Sequence, residues 1–232
     1  MTAQPGGPTA TARIRGVIFD VDGTLVDSNR LHAQAWFDAF REAGLDGGTV
    51  LDLMRLIGMG SDKLIPAAVG LDGAGPEAER LGERRSEIFR SLYLPTVRPL
   101  PGATELAEAL RDRGFRLAVA SSARPDELEA LLDVAGVSWL APKATSADEV
   151  DASKPEPDVV EAALAGLDLP AQETILIGDT PYDVEACERA GVTVIGLRSG
   201  GWDEAGLRGA AAVYRDPADL LAQLETSPLG SR

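Results

Sequence analysis

The order of hydrophobic and polar positions divides the chain into a helical stretch and a stretch in which helices and strands alternate. The short apolar run from Val17 to Phe19 predicts a buried parallel strand. After residue 103, apolar runs alternate with amphipathic segments, which predicts βαβ units around a parallel sheet. The predicted strands there are 115–120, 174–177, 192–197 and 211–214, and the predicted helices are 104–113, 125–135, 155–165 and 181–190.

Between the first strand and residue 99, the spacing of apolar residues favours helices and gives no convincing strand. Ser28 is a suitable N-cap for a helix that ends near Gly44, and Thr49 is suitable for a shorter helix that ends before Gly58. Two further helices are predicted over residues 61–69 and 76–94. This stretch is therefore predicted to be an all-α insertion placed directly after the first strand.

Together these elements predict an α/β protein with a Rossmann-like parallel sheet core and helices on both faces. The core would comprise residues 13–27 and 99–232, and the inserted helical cap domain residues 28–98. Residues 1–12 are rich in Thr, Ala, Pro and Gly and lack the charged start and apolar core of a signal peptide. They are expected to be a disordered tail.

Composition limits the possible partners. The 232 residues carry a formal net charge of −15, which argues against a nucleic acid or an anionic membrane. A phosphate site on so acidic a chain would need local cations or a metal. Cys187 is the single cysteine, which excludes an internal disulfide and suits a reducing cytoplasm. We expect a cytoplasmic monomer or homodimer that binds a small molecule.

Two aspartates follow the first apolar run, at the point where the predicted strand ends. The sequence Asp20-Val-Asp22-Gly23-Thr24 places both carboxylates at the carboxyl end of a central strand, where open α/β sheets bind their ligands. An Asx-type turn would also explain Asp and Gly at these positions. The complete string after an apolar strand is more specific than a turn requires.

Other polar residues follow the next strands in the same way. Ser121 and Ser122 end the predicted strand 115–120, where they could bind phosphate or simply satisfy N–H groups of the following helix. Lys154 lies between Ser153 and Glu156, which could form a capping box, although a lysine there opposes the helix dipole.

Asp179 and Asp183 follow the strand 174–177, and Asp183 could form a capping box with Thr180. In one parallel sheet all these residues converge at one edge. Four carboxylates and one ammonium sum to −3, so a divalent cation would relieve the repulsion, and oxygen ligands suit Mg²⁺.

The four motifs, in this order along nearly the whole chain, resemble those of the haloacid dehalogenase superfamily, whose members are mostly magnesium-dependent phosphatases. The resemblance implies that Asp20 is the nucleophile that forms an aspartyl-phosphate and that Asp22 is the general acid and base. It implies Mg²⁺ ligation by Asp20, Asp179 and the backbone carbonyl of Asp22.

The same resemblance assigns supporting roles to the remaining motif residues. Phosphate would be bound by Gly23, Ser121 and Ser122, which follow two strands, and by Lys154. Thr24 would support the nucleophile loop, and Asp183 would lie behind the metal ligands. Ser121 and Lys154 are counted with Asp20 and Asp22 as catalytic residues.

The cap is predicted to select the substrate. His32, Trp36, Arg55 and Lys63 are candidates, with Met59 and Ser61 beside them around Gly58 and Gly60. Each also has a structural explanation, because Trp36 suits the interior of the cap and the basic residues suit a solvated surface.

The leading interpretation is a phosphatase of a small phosphorylated metabolite, phosphoglycolate or a sugar phosphate. A β-phosphoglucomutase-like phosphotransferase is the alternative, although that branch has Glu where this chain has Gly178. A phosphonate hydrolase would use a cap lysine, and Lys63 is in surroundings that match poorly. A catalytically silent binding module is disfavoured by the intact Asp20, Asp22 and Lys154.

Overall fold

The computed structural model describes residues 13–146 and 152–230. The predicted tail, residues 1–12, lies outside them. Within the described residues the strands form one parallel sheet in the order β3-β2-β1-β4-β5-β6. The strands are β1 Gly16–Phe19, β2 Arg116–Ala120, β3 Ala144–Thr145, β4 Thr174–Gly178, β5 Thr193–Leu197 and β6 Ala212–Tyr214.

Nine α-helices lie in the described residues. They are α1 Asn29–Glu42, α2 Val50–Met54, α3 Ser61–Val69, α4 Pro76–Ile88, α5 Ala103–Asp112, α6 Pro125–Val134, α7 Asp158–Leu167, α8 Pro181–Ala190 and α9 Pro217–Ala222. A π-helical turn, Phe89–Tyr93, continues α4. No helix among the described residues is both long enough and apolar enough to cross a membrane.

The central strand β1 shows why the sheet is covered on both faces. Val17 and Phe19 point into a cluster that includes apolar side chains of α5 and α6, whereas Ile18 points into a second cluster with α7 and α8. Both faces are buried, as the uninterrupted apolar run predicts. The prediction of a parallel α/β sheet with helices on both faces is confirmed.

Helices α1 to α4 have a hydrophobic cluster of their own, in which Trp36 and Phe40 are among the largest side chains. Ala35 and Ala39, also on α1, pack instead into the cluster beneath the sheet. Helix α1 therefore joins the helical stretch to the core. The domain bounds drawn from the sequence, 28–98 for the cap, stay a prediction.

Several local predictions were wrong. The sheet has a sixth strand, β3, whose two residues are too few to give a pattern. Helix α7 begins at Asp158 and not at Pro155. The capping box of Ser153 and Glu156 is not formed, because Ser153 donates to Asp62 in α3 and Glu156 pairs with Arg189.

Ser28 occupies the N-cap position of α1 but accepts no N–H bond, since its hydroxyl is directed to Asp22. By contrast, the capping boxes of Thr49 with Asp52 and of Thr180 with Asp183 are formed. The difference is that Asp52 and Asp183 lie three residues after their caps, where local geometry decides the contact. The partners of Ser28 and Ser153 are set by tertiary structure.

Candidate active site

Asp20 follows β1 directly and contacts a buried lysine from a distant part of the chain. The ammonium of Lys154 donates to Asp20 Oδ1 at 2.6 Å, to Asp183 Oδ1 at 2.7 Å and to the carbonyl of Ala120 at 2.9 Å. Only 1% of Lys154 is exposed. All three N–H donors of the ammonium are thus used inside the protein, and two of them connect the ends of β1 and α8.

Asp179 completes a group of three buried carboxylates at this edge. Carboxylate oxygens of Asp20, Asp179 and Asp183 all lie within 4.8 Å of one another. Thr24 Oγ1 donates to Asp179 Oδ1 at 3.2 Å, and Asn29 Nδ2 donates to Asp179 Oδ2 at 2.8 Å. Asn29 was not among the site residues predicted from the sequence. The only sequence signal for it is its position at the start of the helix that follows the Asp20 motif.

Burial raises the pKa of Asp20 to about 7, and the carboxylates of Asp183 and Asp22 add to this against the attraction of Lys154. Burial and the same neighbouring carboxylates also raise the pKa of Asp179 well above its usual value. Burial alone would lower the pKa of Lys154, but Asp183 and Asp20 raise it instead. The cluster therefore holds more negative charge than one ammonium can neutralise.

Three carboxylates and one ammonium leave two negative charges, which a single divalent cation would balance. The donors offered are oxygens alone, as Mg²⁺ prefers. The residues present therefore fit a magnesium ion. Asp183 already accepts from Lys154 through Oδ1 and from Thr180 through Oδ2. From the described residues it accepts three hydrogen bonds, against two for Asp179 and one for Asp20, and is thus the least free of the three to bind the ion.

Glycine is required where the backbone approaches these carboxylates. A Cβ atom on Gly200 would lie 1.5 Å from Asp179 Oδ2, and one on Gly23, at φ +74°, would lie 2.3 Å from the same oxygen. A Cβ atom on Gly178 would lie 2.6 Å from Asp183 Cγ. Any side chain at these positions would displace a carboxylate of the cluster.

Asp22 lies outside the cluster of three, although it is two residues from Asp20. Ser28 Oγ donates to Asp22 Oδ1 at 2.5 Å, and His32 Nε2 lies 2.7 Å from the same oxygen. Burial would raise the pKa of Asp22, but His32 and Ser28 lower it below its usual value. Asp20 and Asp22 are thus shifted in opposite directions by different neighbours.

A buried ion pair next to His32 had not been predicted. Arg85 of α4 donates to both carboxylate oxygens of Glu127 at 2.6 and 2.9 Å, and Glu127 is fully buried in the first turn of α6. Glu127 Oε1 also lies 3.6 Å from His32 Nδ1, and the His32 ring stacks on Phe89 at 3.9 Å. Arg85 and Glu127 are 42 positions apart, so no local signal joins them.

The predicted phosphate ligands lie around the same edge. Ser121 is fully buried, and its Oγ accepts from the N–H of Ala123. Ser122 Oγ donates to the carbonyl of Gly58 at 3.0 Å, which ties the core to the helical stretch. The N–H of Gly23 donates to the carbonyl of Val26. The roles proposed for these residues in phosphate binding stay predictions.

The four cap candidates separate into two groups. His32 and Trp36 line the pocket that contains Asp20, although both are almost completely buried. Arg55 is exposed and lines a different depression, beside Trp202. Lys63 lines neither of these and lies 3.9 Å from Asp62. His32 and Trp36 thus lie at the pocket of Asp20, whereas Arg55 and Lys63 lie outside it. The role of all four in substrate selection stays a prediction.

Comparison with known proteins identifies the family of the chain. The family profile described as haloacid dehalogenase-like hydrolase matches residues 17–197. The chain belongs to this hydrolase family. The membership predicted from the four motifs, and with it the expectation of an enzyme of the hydrolase class, is confirmed.

Individual members of the family differ in length and name. A phosphoglycolate phosphatase of Rhodospirillum rubrum is 32% identical over 216 residues, 89% of each chain. The Arabidopsis thaliana protein SUPPRESSOR OF QUENCHING 1, chloroplastic, is 33% identical over 193 residues, 81% of this chain, which spans only 18% of that protein. The crystal structure of a hydrolase from Pseudomonas syringae has a TM-score of 0.85 and 32% identity, covering 91% of this chain and 98% of that one.

Proposed function

We propose that this haloacid dehalogenase-like hydrolase is a Mg²⁺-dependent phosphatase that hydrolyses a small phosphorylated metabolite through an aspartyl-phosphate. The observation that supports it most is the position of Asp20. Its carboxylate is at the carboxyl end of the central strand, against Lys154 and within 4.8 Å of the carboxylates of Asp179 and Asp183. The phosphoglycolate phosphatase relative is consistent with this chemistry.

In the first step an Asp20 oxygen forms a bond to phosphorus while the bond from phosphorus to the leaving oxygen breaks. Asp22 protonates that oxygen. In the second step water attacks phosphorus, Asp22 accepts the proton of the water, and the bond to Asp20 breaks to release phosphate. The lowered pKa of Asp22, with His32 and Ser28 on its carboxylate, leaves it ionised to accept the proton of water in the second step. The proton that it accepts there is the one that it gives to the leaving oxygen of the next turnover.

Asp20, Asp179 and the backbone carbonyl of Asp22 would hold Mg²⁺. When bound, the ion would supply positive charge that lets an anionic phosphate approach an anionic nucleophile. Lys154 contributes the fixed positive charge of the site, and Thr24 and Asn29 orient Asp179 by hydrogen bonds. The carboxyl ends of β1 and β4 thus provide both the nucleophile and the oxygen ligands.

The test is hydrolysis of p-nitrophenyl phosphate and acetyl phosphate with and without Mg²⁺, by wild type and by Asp20→Asn. The substitution keeps the shape of the side chain and removes the nucleophile, so we expect a loss of at least about a thousandfold in turnover. Asp27→Asn, on an exposed residue near the end of the same loop, is the matched control. A folded Asp20→Asn protein with a tenth of wild-type turnover, or full activity in excess EDTA, would refute the proposal.

A phosphotransferase of the β-phosphoglucomutase kind would use the same nucleophile, so Asp20→Asn cannot separate the two functions. They differ in whether water or a sugar hydroxyl attacks the phosphoenzyme. Gly178 favours hydrolysis, because the Glu of that branch would collide with Asp183 as it lies here. With β-glucose 1-phosphate and a bisphosphate primer, we expect inorganic phosphate to form faster than glucose 6-phosphate. The reverse order would establish the mutase.

A further inference from the structure

A cleft of about 480 Å³ lies next to the pocket that contains Asp20. Helices α3 and α4 form one side of the cleft, and Ser122, Arg124 and Ser153 of the core form the other. Trp36 and Arg85 line both the pocket and the cleft. The two are therefore adjacent and share part of their walls, and the pocket with Asp20 is the inner end of this site.

We propose that this cleft binds a neutral polyhydroxyl group, so that the substrate is a sugar or polyol monophosphate and not a phosphorylated carboxylic acid. This inference rests on the proposed phosphatase function and adds the chemical class of its substrate. Three properties of the space support it: the pairing of its cations, the acceptors on its wall and its size.

The permanent cations at the inner end, Lys154 and Arg85, are already neutralised. Lys154 contacts Asp20 and Asp183. Arg85 is held by both oxygens of the buried Glu127. A second anionic group close to the phosphate would have to displace one of these carboxylates, whereas a neutral substrate leaves every pair in place.

The wall of the cleft offers hydrogen-bond acceptors. Asp62 of α3 and Glu79 of α4 both line it. Asp62 Oδ1 accepts from Ser153, and its Oδ2 is 3.9 Å from the lysine next to it. Carboxylates accept strongly from hydroxyl groups and repel a carboxylate ligand. Two of them facing the cleft therefore favour a polyol over an acid.

The size of the cleft agrees with this choice. Binding pockets of about 300–1,000 Å³ accommodate drug-sized ligands, so a two-carbon acid would fill a small part of this one. Small residues keep the α4 wall open: Gly75, Ala78 and Gly82 face it, and a Cβ atom on Gly82 would meet no atom within 4 Å. The space matches a pentose, hexose or short polyol.

The first experiment compares kcat/KM of the wild-type enzyme with Mg²⁺ on acetyl phosphate, 2-phosphoglycolate, erythritol 4-phosphate, fructose 1-phosphate and glucose 1-phosphate. We expect at least one polyol or sugar phosphate to exceed 2-phosphoglycolate by about tenfold or more. A preference for 2-phosphoglycolate, or equal values for all, would overturn the inference while hydrolysis of acetyl phosphate upholds the phosphatase. Absence of hydrolysis on every compound would refute the phosphatase itself, and the inference with it.

The second experiment narrows the cleft with Gly82→Leu. We expect the ratio of kcat/KM for the best sugar phosphate to that for acetyl phosphate to fall at least about tenfold, because acetyl phosphate has no large remote group to lose. Gly166→Leu is the matched control, since Gly166 is a helical glycine of α7 with equally open space and no place in the cleft. The same fall in Gly166→Leu, or an unchanged ratio in Gly82→Leu, would contradict the inference.

The third experiment removes one negative charge with Glu79→Gln, and Glu83→Gln on the same helix is the control. Amide and carboxylate both accept from a hydroxyl, but only the carboxylate repels an acid. We therefore expect kcat/KM for 2-phosphoglycolate to rise relative to the sugar phosphates by at least about threefold in Glu79→Gln alone. No change in that ratio would show that Glu79 does not discriminate and would count against the polyol assignment.

Discussion

The edge of the sheet and the wall of the cleft differ in how far their polar side chains are already paired. At the edge, Asp20, Lys154, Asp179 and Asp183 are buried, and each is held by hydrogen bonds or opposite charge. On the wall, Glu79 is exposed and small residues leave open space. The edge is preorganised for one chemistry, and the wall can be altered without disturbing it.

Lys154→Met tests this contrast most severely. The substitution would leave three buried carboxylates with no cation, and we expect a loss of about 3–5 kcal/mol in unfolding free energy together with nearly all activity. Urea denaturation and p-nitrophenyl phosphate turnover measure the two effects. The control is Lys63→Met, a partly exposed lysine of α3, for which we expect a change within about 0.5 kcal/mol. Similar losses in both variants would remove the distinction between edge and wall.

The pair of Arg85 and Glu127 joins the wall of the cleft to α6 and is buried, so its removal is expected to have the next largest effect. Arg85→Met leaves Glu127 buried without a cation, and we expect about 3 kcal/mol of destabilisation. The double variant with Glu127→Leu should recover most of it, because no charge then stays buried. A double-mutant cycle gives the coupling. Additive effects would show that the pair does not join the regions energetically.

The pH dependence of stability sharpens the comparison further, because the three buried carboxylates of the edge carry more negative charge than Lys154 neutralises. The folded protein binds protons more tightly at Asp20, whose pKa is raised to about 7, and at Asp179, so metal-free stability should fall as pH rises from about 4 to about 7. Asp22, with a lowered pKa, has the opposite effect, but only below about pH 4.

Thermal melting in EDTA and in Mg²⁺ checks this expectation. We expect Mg²⁺ to raise the melting temperature by at least about 4 °C near pH 7.5 and by clearly less near pH 5. Asp179→Asn should raise the metal-free melting temperature near pH 7.5 by removing one of the repelling charges. An equal effect of Mg²⁺ at both pH values would contradict the charge balance derived for the cluster.

Arg55→Ala is expected to have the smallest effect. Arg55 had been predicted from the sequence to contact substrate, but its side chain lines a depression beside Trp202 and is exposed. We expect kcat/KM on every substrate to stay within about twofold of wild type, and stability within about 0.5 kcal/mol. A loss confined to the larger substrates would show that Arg55 contacts the substrate, which would require the cap to move.

The sequence predicted the edge well because each motif follows a strand closely. Asp20 and Asp179 come directly after the apolar runs of β1 and β4, and parallel strands bring such positions together without further information. The wall was predicted poorly because its geometry depends on how helices pack. Arg85 of α4 and Glu127 of α6 are 42 positions apart in the sequence, and no spacing in the chain predicts that contact.

The same reasoning explains the errors in local structure. Ser28 was assigned to a helix cap and Ser153 was given a capping box as one alternative, but both hydroxyls are directed to carboxylates brought near by the fold. Asp22 was predicted to lie with the other acidic groups, but its carboxylate contacts His32 and lies outside the cluster of three. Local rules hold where the partner lies within one turn of the chain, and fail where a distant group competes for it.

The enclosure of Asp179 by backbone restricts the order in which ligands can reach the site. A Cβ atom on Gly23 or Gly200 would collide with Oδ2, and Thr24 and Asn29 donate to the two oxygens. Because carboxylate oxygens of Asp179 and Asp20 lie within 4.8 Å of each other, a metal ion held by both would lie beside the proposed nucleophile, which the phosphate ester must also reach. We expect the ion to enter first and the substrate to hinder its departure, so that exchange of metal is fastest between turnovers.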